Sequence, residues 1–478
     1  MSFSELQLAL PEIFIATMAC VVLVADLFVS EQRRGLTHSL AVLALAFAGI
    51  ITLRMMMPAG ESLTAFSETF IRDRFGDVLK LFSYIILIAV FVYAKHFLRA
   101  AGLFKGEFYS LSLFALLGVM IMVSAASMLT LYLGLELLAL SSYALVALNR
   151  DSALGSEAAM KFFILGSLAS GILLYGMSLI YGATGTLELS AVSAALKGAA
   201  TDNLMLAFGL AFLVVGIAFK LGAVPFHMWL PDVYQGAPVA VTLLISSLPK
   251  LGYLALAIRL LEDGMSGLHT DWQAMLVVLA ALSMILGNVV AIAQSNIKRM
   301  LAYSTISHVG FILMGVLAAS AAGYAAAMFY TIVYAMMSAG AFAVVILLSS
   351  NGIEAENIDD FKGLAKRSPW YALMMLMIMF SLAGIPVFVG FFAKWQVIAA
   401  AVEAGFTGLA ILAVVTAVIG AFYYLRIVKL MYFDDPERTE PVTAPVDFRA
   451  VLSLNGLAML GLGLFSGGLI SLCISAFS

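Results

Sequence analysis

Charged residues are scarce in this sequence. Only 11% of its 478 residues are Asp, Glu, Lys or Arg, whereas 63% are hydrophobic and the mean hydropathy is +1.07. Water-soluble domains carry about 25% charged residues, so the composition excludes a soluble globular protein. The net charge of −3 comes with no basic patch, so nucleic acid is not an expected partner. The expected surroundings of the chain are a lipid bilayer.

Cysteine is almost absent. Cys20 and Cys473 lie singly in the first and last apolar runs, and the sequence has no Cys-X-X-Cys pair. Disulfide frameworks, zinc sites and iron–sulfur ligation are therefore not predicted. The sequence also has no phosphate-binding loop, metal-ligand cluster or nucleophile–base pattern. We expect this chain to bind no cofactor and to make no covalent bonds itself.

Long apolar runs fill most of the chain. A run of about 20 apolar residues is long enough to span a bilayer, and the sequence predicts an all-α polytopic membrane protein with about 14 transmembrane helices. The predicted spans are 9–29, 38–57, 78–97, 108–124, 127–148, 156–181, 204–222, 238–260, 272–294, 300–318, 323–349, 370–400 (broken), 406–430 and 450–474. The first of them follows an N-terminus without a basic region, so we expect it to be retained. Segment 60–76 alternates polar and aromatic residues and is predicted to form a short extracytoplasmic hairpin.

The placement of lysine and arginine predicts the orientation. Loops after odd-numbered spans hold 15 of the 25 basic residues, loops after even-numbered spans hold 6, and 4 lie within spans. Cytoplasmic loops of membrane proteins carry the excess of Lys and Arg. Both termini are therefore predicted to lie on the extracytoplasmic side.

Two apolar segments are interrupted in a similar way. Residues 219–226 (Phe-Lys-Leu-Gly-Ala-Val-Pro-Phe) align without gaps with residues 380–387 (Phe-Ser-Leu-Ala-Gly-Ile-Pro-Val), which places Pro225 and Pro386 at the same position. Proline breaks or kinks a helix, and paired interrupted segments indicate structural repeats around a site in mid-membrane. The two interruptions lie at the seventh and the twelfth predicted spans, so the repeat unit has five spans. A unit with an odd number of spans ends on the opposite side of the membrane, so the second copy is predicted to be inverted.

Five ionisable residues within the predicted spans are candidate proton carriers. Charges at bilayer depth are unfavourable by roughly 2.5–3.5 kcal/mol on insertion scales and usually have a function. A structural counter-ion is the simplest alternative for Glu136, and extension of the side chain to the interface is one for Lys161. The candidates are Glu136, Lys161, Lys220, Lys250 and Lys394.

Two histidines, one aspartate and one tyrosine are weaker candidates. His227 follows the first interruption and His308 lies within the tenth span, and either could relay protons near neutral pH. A hydrogen-bonded packing histidine is the alternative for both. Asp232 and Tyr234 are expected to face the cytoplasmic loop after the break.

The energies of such pairs fit proton transport. A Glu136–Lys220 pair about 6 Å apart, at an effective dielectric constant of about 20, is worth roughly 3 kcal/mol. Moving one charge across 100 mV takes about 2.3 kcal/mol. Making or breaking one pair could therefore load or release a proton against a membrane potential, with Lys250 and Lys394 continuing the line.

The chain resembles the antiporter-like membrane subunits of bacterial proton-pumping NADH:quinone oxidoreductase, respiratory complex I. The resemblance covers essentially the whole length and is most specific at 220–238, at 296–310 and at 381–386. The opening Leu-Pro-Glu-Ile-Phe and the motif Asp-Val-Tyr-Gln-Gly-Ala-Pro favour the subunit N branch over the L and M branches.

This resemblance implies a fold and a set of roles. It implies 14 helices with two inverted five-helix repeats, spans 4–8 and 9–13, each containing a broken helix. Glu136 would pair with Lys220, Lys250 would be the central relay, Lys394 the terminal lysine, and Lys161 a modulator of the first half. The corresponding domains are 1–105 (helices 1–3 and the hairpin), 106–262 (first repeat), 270–432 (second repeat) and 433–478 (cytoplasmic loop and last helix).

The resemblance also implies partners and a location. NADH, FMN, iron–sulfur clusters and quinone would belong to other subunits of the translocase, and the neighbours would be membrane subunits K and M in the bacterial cytoplasmic membrane. Two alternatives stay open: a subunit of a multi-subunit cation/proton antiporter, and a membrane scaffold that only docks other subunits.

Overall fold

The chain is almost entirely helical. The computed structural model describes residues 3–197, 203–349, 354–437 and 440–478. In the first half the helices are α1 (Phe3–Leu8), α2 (Leu10–Phe28), α3 (Gly35–Arg54), α4 (Arg74–Ala100), α5 (Gly106–Val123), α6 (Met128–Val146), α7 (Ala153–Thr184), α8 (Leu189–Leu196), α9 (Leu204–Leu221), α10 (Trp229–Gly236) and α11 (Val239–Ile258). In the second half they are α12 (His269–Ile292), α13 (Ile297–Leu317), α14 (Ala321–Leu348), α15 (Leu364–Arg367), α16 (Pro369–Ala383), α17 (Val389–Glu403), α18 (Thr407–Phe433), α19 (Val446–Leu464) and α20 (Gly467–Ile474).

The predicted membrane-spanning architecture is confirmed. Within the described residues, 13 helices are long and apolar enough to cross a membrane. The remaining predicted span, 370–400, is split into α16 and α17, which have 15 residues each. The predicted hairpin at 60–76 is also present, with β1 (Ser62–Ala65) pairing antiparallel with β2 (Phe70–Asp73).

Three helices occupy the centre of the molecule. All residues of α11 and nearly all residues of α13 and α14 are buried within the chain, whereas most residues of α2 are not. α11 carries Lys250, α13 carries His308, and α17, which carries Lys394, packs against α13 and α14. The central helices therefore keep these groups away from lipid.

Glycines allow the closest helix approaches, and they do so in both halves. A Cβ added at Gly118 of α5 would lie 2.6 Å from the carbonyl oxygen of Gly134 on α6. A Cβ added at Gly287 of α12 would lie 2.6 Å from the amide nitrogen of Ser307 on α13. α5–α6 and α12–α13 are thus close pairs at comparable places in the chain, while the inverted relation of the two repeats and the domain boundaries remain predictions.

Both interrupted helices end in the same backbone turn. Gly222 (φ 84°, ψ 34°) and Gly384 (φ 83°, ψ 36°) are left-handed caps of α9 and α16. In each turn the following amide bonds back to the carbonyl five residues earlier, Ala223 to Ala218 at 2.8 Å and Ile385 to Phe380 at 3.0 Å. This geometry matches the common glycine-ended helix terminus.

The two turns correct the alignment of the interrupted segments by one residue. The gapless alignment matches Pro225 with Pro386, but the left-handed glycines superimpose only when Gly222 is matched with Gly384. The prolines then stand three and two residues after their glycines. The helix end depends on the residue that accepts positive φ, which favours glycine, so the glycine is the better reference point.

Candidate functional site

Lys220 lies in the last turn of α9, just before the first break. Lys220 is 3% exposed, and its ammonium nitrogen donates a hydrogen bond to the hydroxyl of Ser170 on α7 at 2.8 Å. A close approach of α7 and α9 makes this contact possible, because Gly216 leaves room for Leu173. Lys220 therefore has a neutral hydroxyl as its direct hydrogen-bond partner.

Lys250 reaches the carbonyl end of the interrupted helix α9. It is 1% exposed on α11, and its Nζ donates to the backbone carbonyl of Leu221 at 2.8 Å. The last carbonyls of a helix lack intrahelical partners and form the negative end of its dipole. The ammonium group thus compensates a carbonyl that the break leaves free.

Other side chains complete the backbone bonding of the first break. The indole of Trp229 donates to the carbonyl of Phe219 at 2.9 Å, and the amide of Val224 donates to the hydroxyl of Ser283 on α12 at 2.9 Å. Trp229 is held by stacking on Phe162, with ring centroids 4.6 Å apart. Irregular backbone at membrane depth is tolerated where the protein satisfies it, and these contacts do so.

Lys394 repeats the arrangement of Lys250 at the second break. It is 9% exposed, and its Nζ donates to the carbonyls of Leu382 and Ala383, at 3.0 and 2.8 Å, at the end of α16. The ring of Phe311 lies 5.4 Å from the same nitrogen, a distance typical of cation–π contacts. A side chain at Gly384 would be strained by its positive φ and would meet Lys394 Cδ at 2.8 Å.

The second break also contains a strained residue. Val387 has φ 82°, which is unusual for a β-branched residue. Its carbonyl would lie 2.0 Å from a Cβ added at Gly463 of α19, so α19 packs directly against the break. Backbone strain of this kind persists only where the surrounding structure imposes it.

Glu136 is not in direct contact with a cation. It is half-buried on α6, and its Oε1 is buried without a hydrogen-bond partner. None of the described Lys, Arg or His side chains lies within 4.0 Å of its carboxylate oxygens. A contact pair with Lys220 is therefore absent from this structure, and interaction of Glu136 and Lys220 over a longer distance remains a prediction.

His308 is the centre of a buried polar network. It is 3% exposed; its Nδ1 lies 2.6 Å from the hydroxyl of Tyr330 on α14, and its Nε2 lies 3.0 Å from the hydroxyl of Tyr424 on α18. Tyr424 also contacts Ser304 at 2.5 Å. Phe311 stacks on Tyr330 of this network and lies 5.4 Å from Lys394 Nζ, so it connects the network with Lys394. The sequence singled out the histidine but not its tyrosine partners.

His227 lies at the surface of the first break. It is half-buried. The neighbouring Met228 is 53% exposed. Among the described residues, Lys220 and Lys250 donate to Ser170 and Leu221, not to His227.

Lys161 is half exposed and belongs to an ionic network. Its side chain is 43% exposed, and its Nζ lies 2.9 Å from both Asp232 and Glu157. Asp232 also pairs with Arg299 of α13 at 2.8 Å. The network joins α7, α10 and α13, and the role of Lys161 as a proton carrier remains a prediction.

A second buried charge cluster was missed by the sequence analysis. Lys80 lies 2.6 Å from Glu12 and 3.9 Å from Asp77, and Asp77 lies 3.3 Å from Arg72; the exposure of these side chains ranges from 0 to 8%. In sequence these residues stand near span ends and look like interface anchors. The cluster ties α2, α4 and the hairpin together, and it has no contact with the breaks.

Comparison with known proteins defines the class of this arrangement. Residues 125–420 match the family model described as NADH:quinone oxidoreductase/Mrp antiporter, TM. A chain of respiratory complex I from Thermus thermophilus has a similar fold, with a TM-score of 0.82, 31% identity and coverage of 96% of this chain and 98% of that one. A chain of the Mrp complex from Dietzia sp. shares the fold, with a TM-score of 0.83 and 23% identity over 100% of this chain and 97% of that one. The class is that of antiporter-like membrane subunits.

A curated relative narrows the class to one branch. NADH-quinone oxidoreductase subunit N from Thioalkalivibrio sulfidiphilus is 57% identical over 470 residues, which cover 98% of each chain. The present chain belongs to this family, the subunit N family of NADH:quinone oxidoreductase.

Proposed function

We propose that this chain is the proton-translocating subunit N of a respiratory NADH:quinone oxidoreductase in a bacterial cytoplasmic membrane. Its near full-length similarity to named subunit N proteins supports this role. NADH, FMN, iron–sulfur clusters and quinone would bind to other subunits, and this chain would couple their electron transfer to proton movement.

The observation that carries the proposal is the placement of Lys250 and Lys394. Each buried ammonium group binds backbone carbonyls at the end of an interrupted helix. Burial disfavours the charge, while the carbonyls and the negative end of the helix dipole favour it by about 0.3–2 kcal/mol. These opposing contributions are comparable with the 2.3 kcal/mol that about 100 mV supplies per charge. A small change at either break could therefore release or bind a proton.

The proposed line runs from Glu136 through Lys220 and Lys250 to Lys394. The His308 network adjoins Lys394 through the Phe311–Tyr330 pair and offers further hydroxyl and imidazole groups. Lys161 and His227 would have secondary roles, Lys161 through its ionic network and His227 beside the first break. Each carrier would respond to the charge of the one before it.

The proposal also includes the setting of the chain. Its partners would be other membrane subunits of the complex, with subunits K and M as neighbours. The excess of basic residues in alternate loops supports extracytoplasmic termini, and the two glycine-ended breaks support two related repeats of inverted orientation.

The test is proton pumping by the assembled complex in reconstituted membranes. Lys220→Ala and Lys394→Ala are each expected to lower the number of protons translocated per NADH oxidised, while Lys429→Ala, a 66% exposed surface lysine, is a control and is expected to have no effect. If both variants assemble and pump normally, the charged line is only structural.

A cation/proton antiporter subunit is the second candidate. Its support is the shared fold of the Mrp complex chain from Dietzia sp., which at 23% identity concerns the fold alone. Purification distinguishes the two functions: the first predicts that flavin and iron–sulfur subunits co-purify with this chain, and the second predicts that they do not.

A further inference from the structure

A cavity lies outside the proposed proton line. It has a volume of about 420 Å³ and is lined by polar groups that include Asn149, Gln235, Lys298 and Glu354. It is formed by the loop after α6, the start of α11 and the loop after α14, on the side predicted to face the cytoplasm. A polar space of this size can hold several water molecules, each of which occupies about 30 Å³ in the liquid.

Lys298 and Glu354 close the inner wall of this cavity. The side chain of Lys298 is 1% exposed and that of Glu354 is 15% exposed, and Nζ lies 2.5 Å from Oε2. The other carboxylate oxygen of Glu354 accepts the amide of Val239 at 2.7 Å. Pro238 offers no capping side chain to α11, so Glu354 supplies the cap from another part of the chain. Each oxygen of this carboxylate therefore accepts a hydrogen bond, and Lys298 has a second carboxylate partner in Glu356 at 3.3 Å.

A row of hydroxyl groups begins directly behind this wall. The carbonyl of Ala237 lies 3.1 Å from Lys298 Nζ on the cavity side and 3.3 Å from the hydroxyl of Thr242 on the inner side. Thr242, Ser246 and Lys250 are spaced four residues apart on α11, so they share one face and are separated by about 6 Å along the helix axis.

Two features make this row more polar at its inner end. Ser338 of α14 donates to the hydroxyl of Ser246 at 2.9 Å, and both side chains are buried. Pro249 has no amide proton, so the carbonyl of Ile245 lacks its usual helix partner. Hydroxyl groups and a free carbonyl thus continue from the cavity wall to Lys250.

We propose that Lys298 and Glu354 form a latch that controls the access of cytoplasmic protons to Lys250. This inference rests on the proposed proton-carrying role of Lys250. With the latch closed, the paired side chains of Lys298 and Glu354 separate the cavity from the hydroxyl row. When the contact between Lys298 and Glu354 breaks, cavity water reaches the hydroxyl of Thr242. A proton then passes from this water along the row, with water bridging the gaps of about 6 Å between the hydroxyls. Each hydroxyl accepts one proton and passes on its own. The last proton binds Lys250 after Lys250 has given its own proton to the next carrier, and the cavity water regains a proton from the cytoplasm.

The test is the passive proton permeability of membranes that contain the assembled complex without NADH. Glu354→Gln keeps an oxygen for the amide of Val239 but loses the nearer of the two carboxylates that pair with Lys298, the other being Glu356 at 3.3 Å. We expect proton leak to rise about tenfold, since a hydrogen bond to a charged group is worth at least that factor. Adding Thr242→Val interrupts the row and is expected to abolish the leak. The control is Asp359→Asn, which removes a carboxylate paired with a surface lysine, Lys362, outside the cavity.

The outcomes separate the latch from the proposed function. A Glu354→Gln complex that is no leakier than the control overturns the latch, as does a leak that survives Thr242→Val. If the Glu354→Gln complex does not assemble, Thr242→Val alone tests the proposal. Unchanged NADH-driven pumping by the Thr242→Val complex would show that the hydroxyl row does not carry protons to Lys250. Normal pumping by Lys220→Ala and Lys394→Ala would instead refute the proton line itself.

Discussion

Replacing Lys250 by methionine separates its role in proton transfer from its role in stability. Methionine has a similar length and no charge, and Lys250 is 1% exposed with one hydrogen bond, to the carbonyl of Leu221. Leaving that buried carbonyl without a partner costs about 1–3 kcal/mol. Removing a lysine from bilayer depth recovers roughly 2.5–3.5 kcal/mol. The two contributions nearly cancel, so the variant is expected to fold and assemble.

Proton transfer past position 250 is expected to be lost in the same variant. A positioned proton-transferring side chain contributes about 100-fold or more to rate, and methionine cannot carry a proton. The assay records NADH oxidation and proton translocation together in reconstituted membranes, with thermal unfolding measured on the same preparation. Lys429→Met, at a 66% exposed position, is the control. A stable Lys250→Met complex with unchanged proton translocation would refute the reasoning.

Three further predictions concern stability and can be measured by thermal unfolding of the assembled complex. Val387→Gly should raise the free energy of unfolding by about 1 kcal/mol, because glycine accepts φ 82° without strain; a lower unfolding temperature would contradict this. Lys80→Met should lower the free energy of unfolding by about 3–5 kcal/mol, because it leaves the Glu12 carboxylate buried without its cation. Adding Glu12→Gln to this variant should restore most of the loss. An equal loss in the single and the double variant would contradict the prediction. Gly463→Val should displace α19 from the second break and lower the unfolding temperature, since its Cβ would overlap the carbonyl of Val387; no change would count against close packing there.

The membrane-spanning helices were predictable from the sequence because span length depends on local hydrophobicity. Both broken helices were also predictable, since proline and glycine interrupt helices by local chemistry. The one-residue offset between the breaks was not, because the sequence emphasised Pro225 and Pro386 whereas the backbone turns at Gly222 and Gly384.

The partners of the buried charges were much less predictable. The sequence marked Lys220 and Lys250 by their depth, but Ser170 and the carbonyl of Leu221 become their partners only through the packing of α7, α9 and α11. Serines and backbone carbonyls are too common to carry a sequence signal. For the same reason Lys80 was not recognised as buried, because a lysine near a span end usually reaches water.

The arrangement of water between the buried lysines tests the central claim most directly. The measurement is a high-resolution structure of the assembled complex in lipid that resolves ordered water. Our account predicts hydrated connections joining Lys220, Lys250 and Lys394 through the protein interior. Ammonium groups that face lipid headgroups or bulk solvent, with dry protein between them, would contradict it.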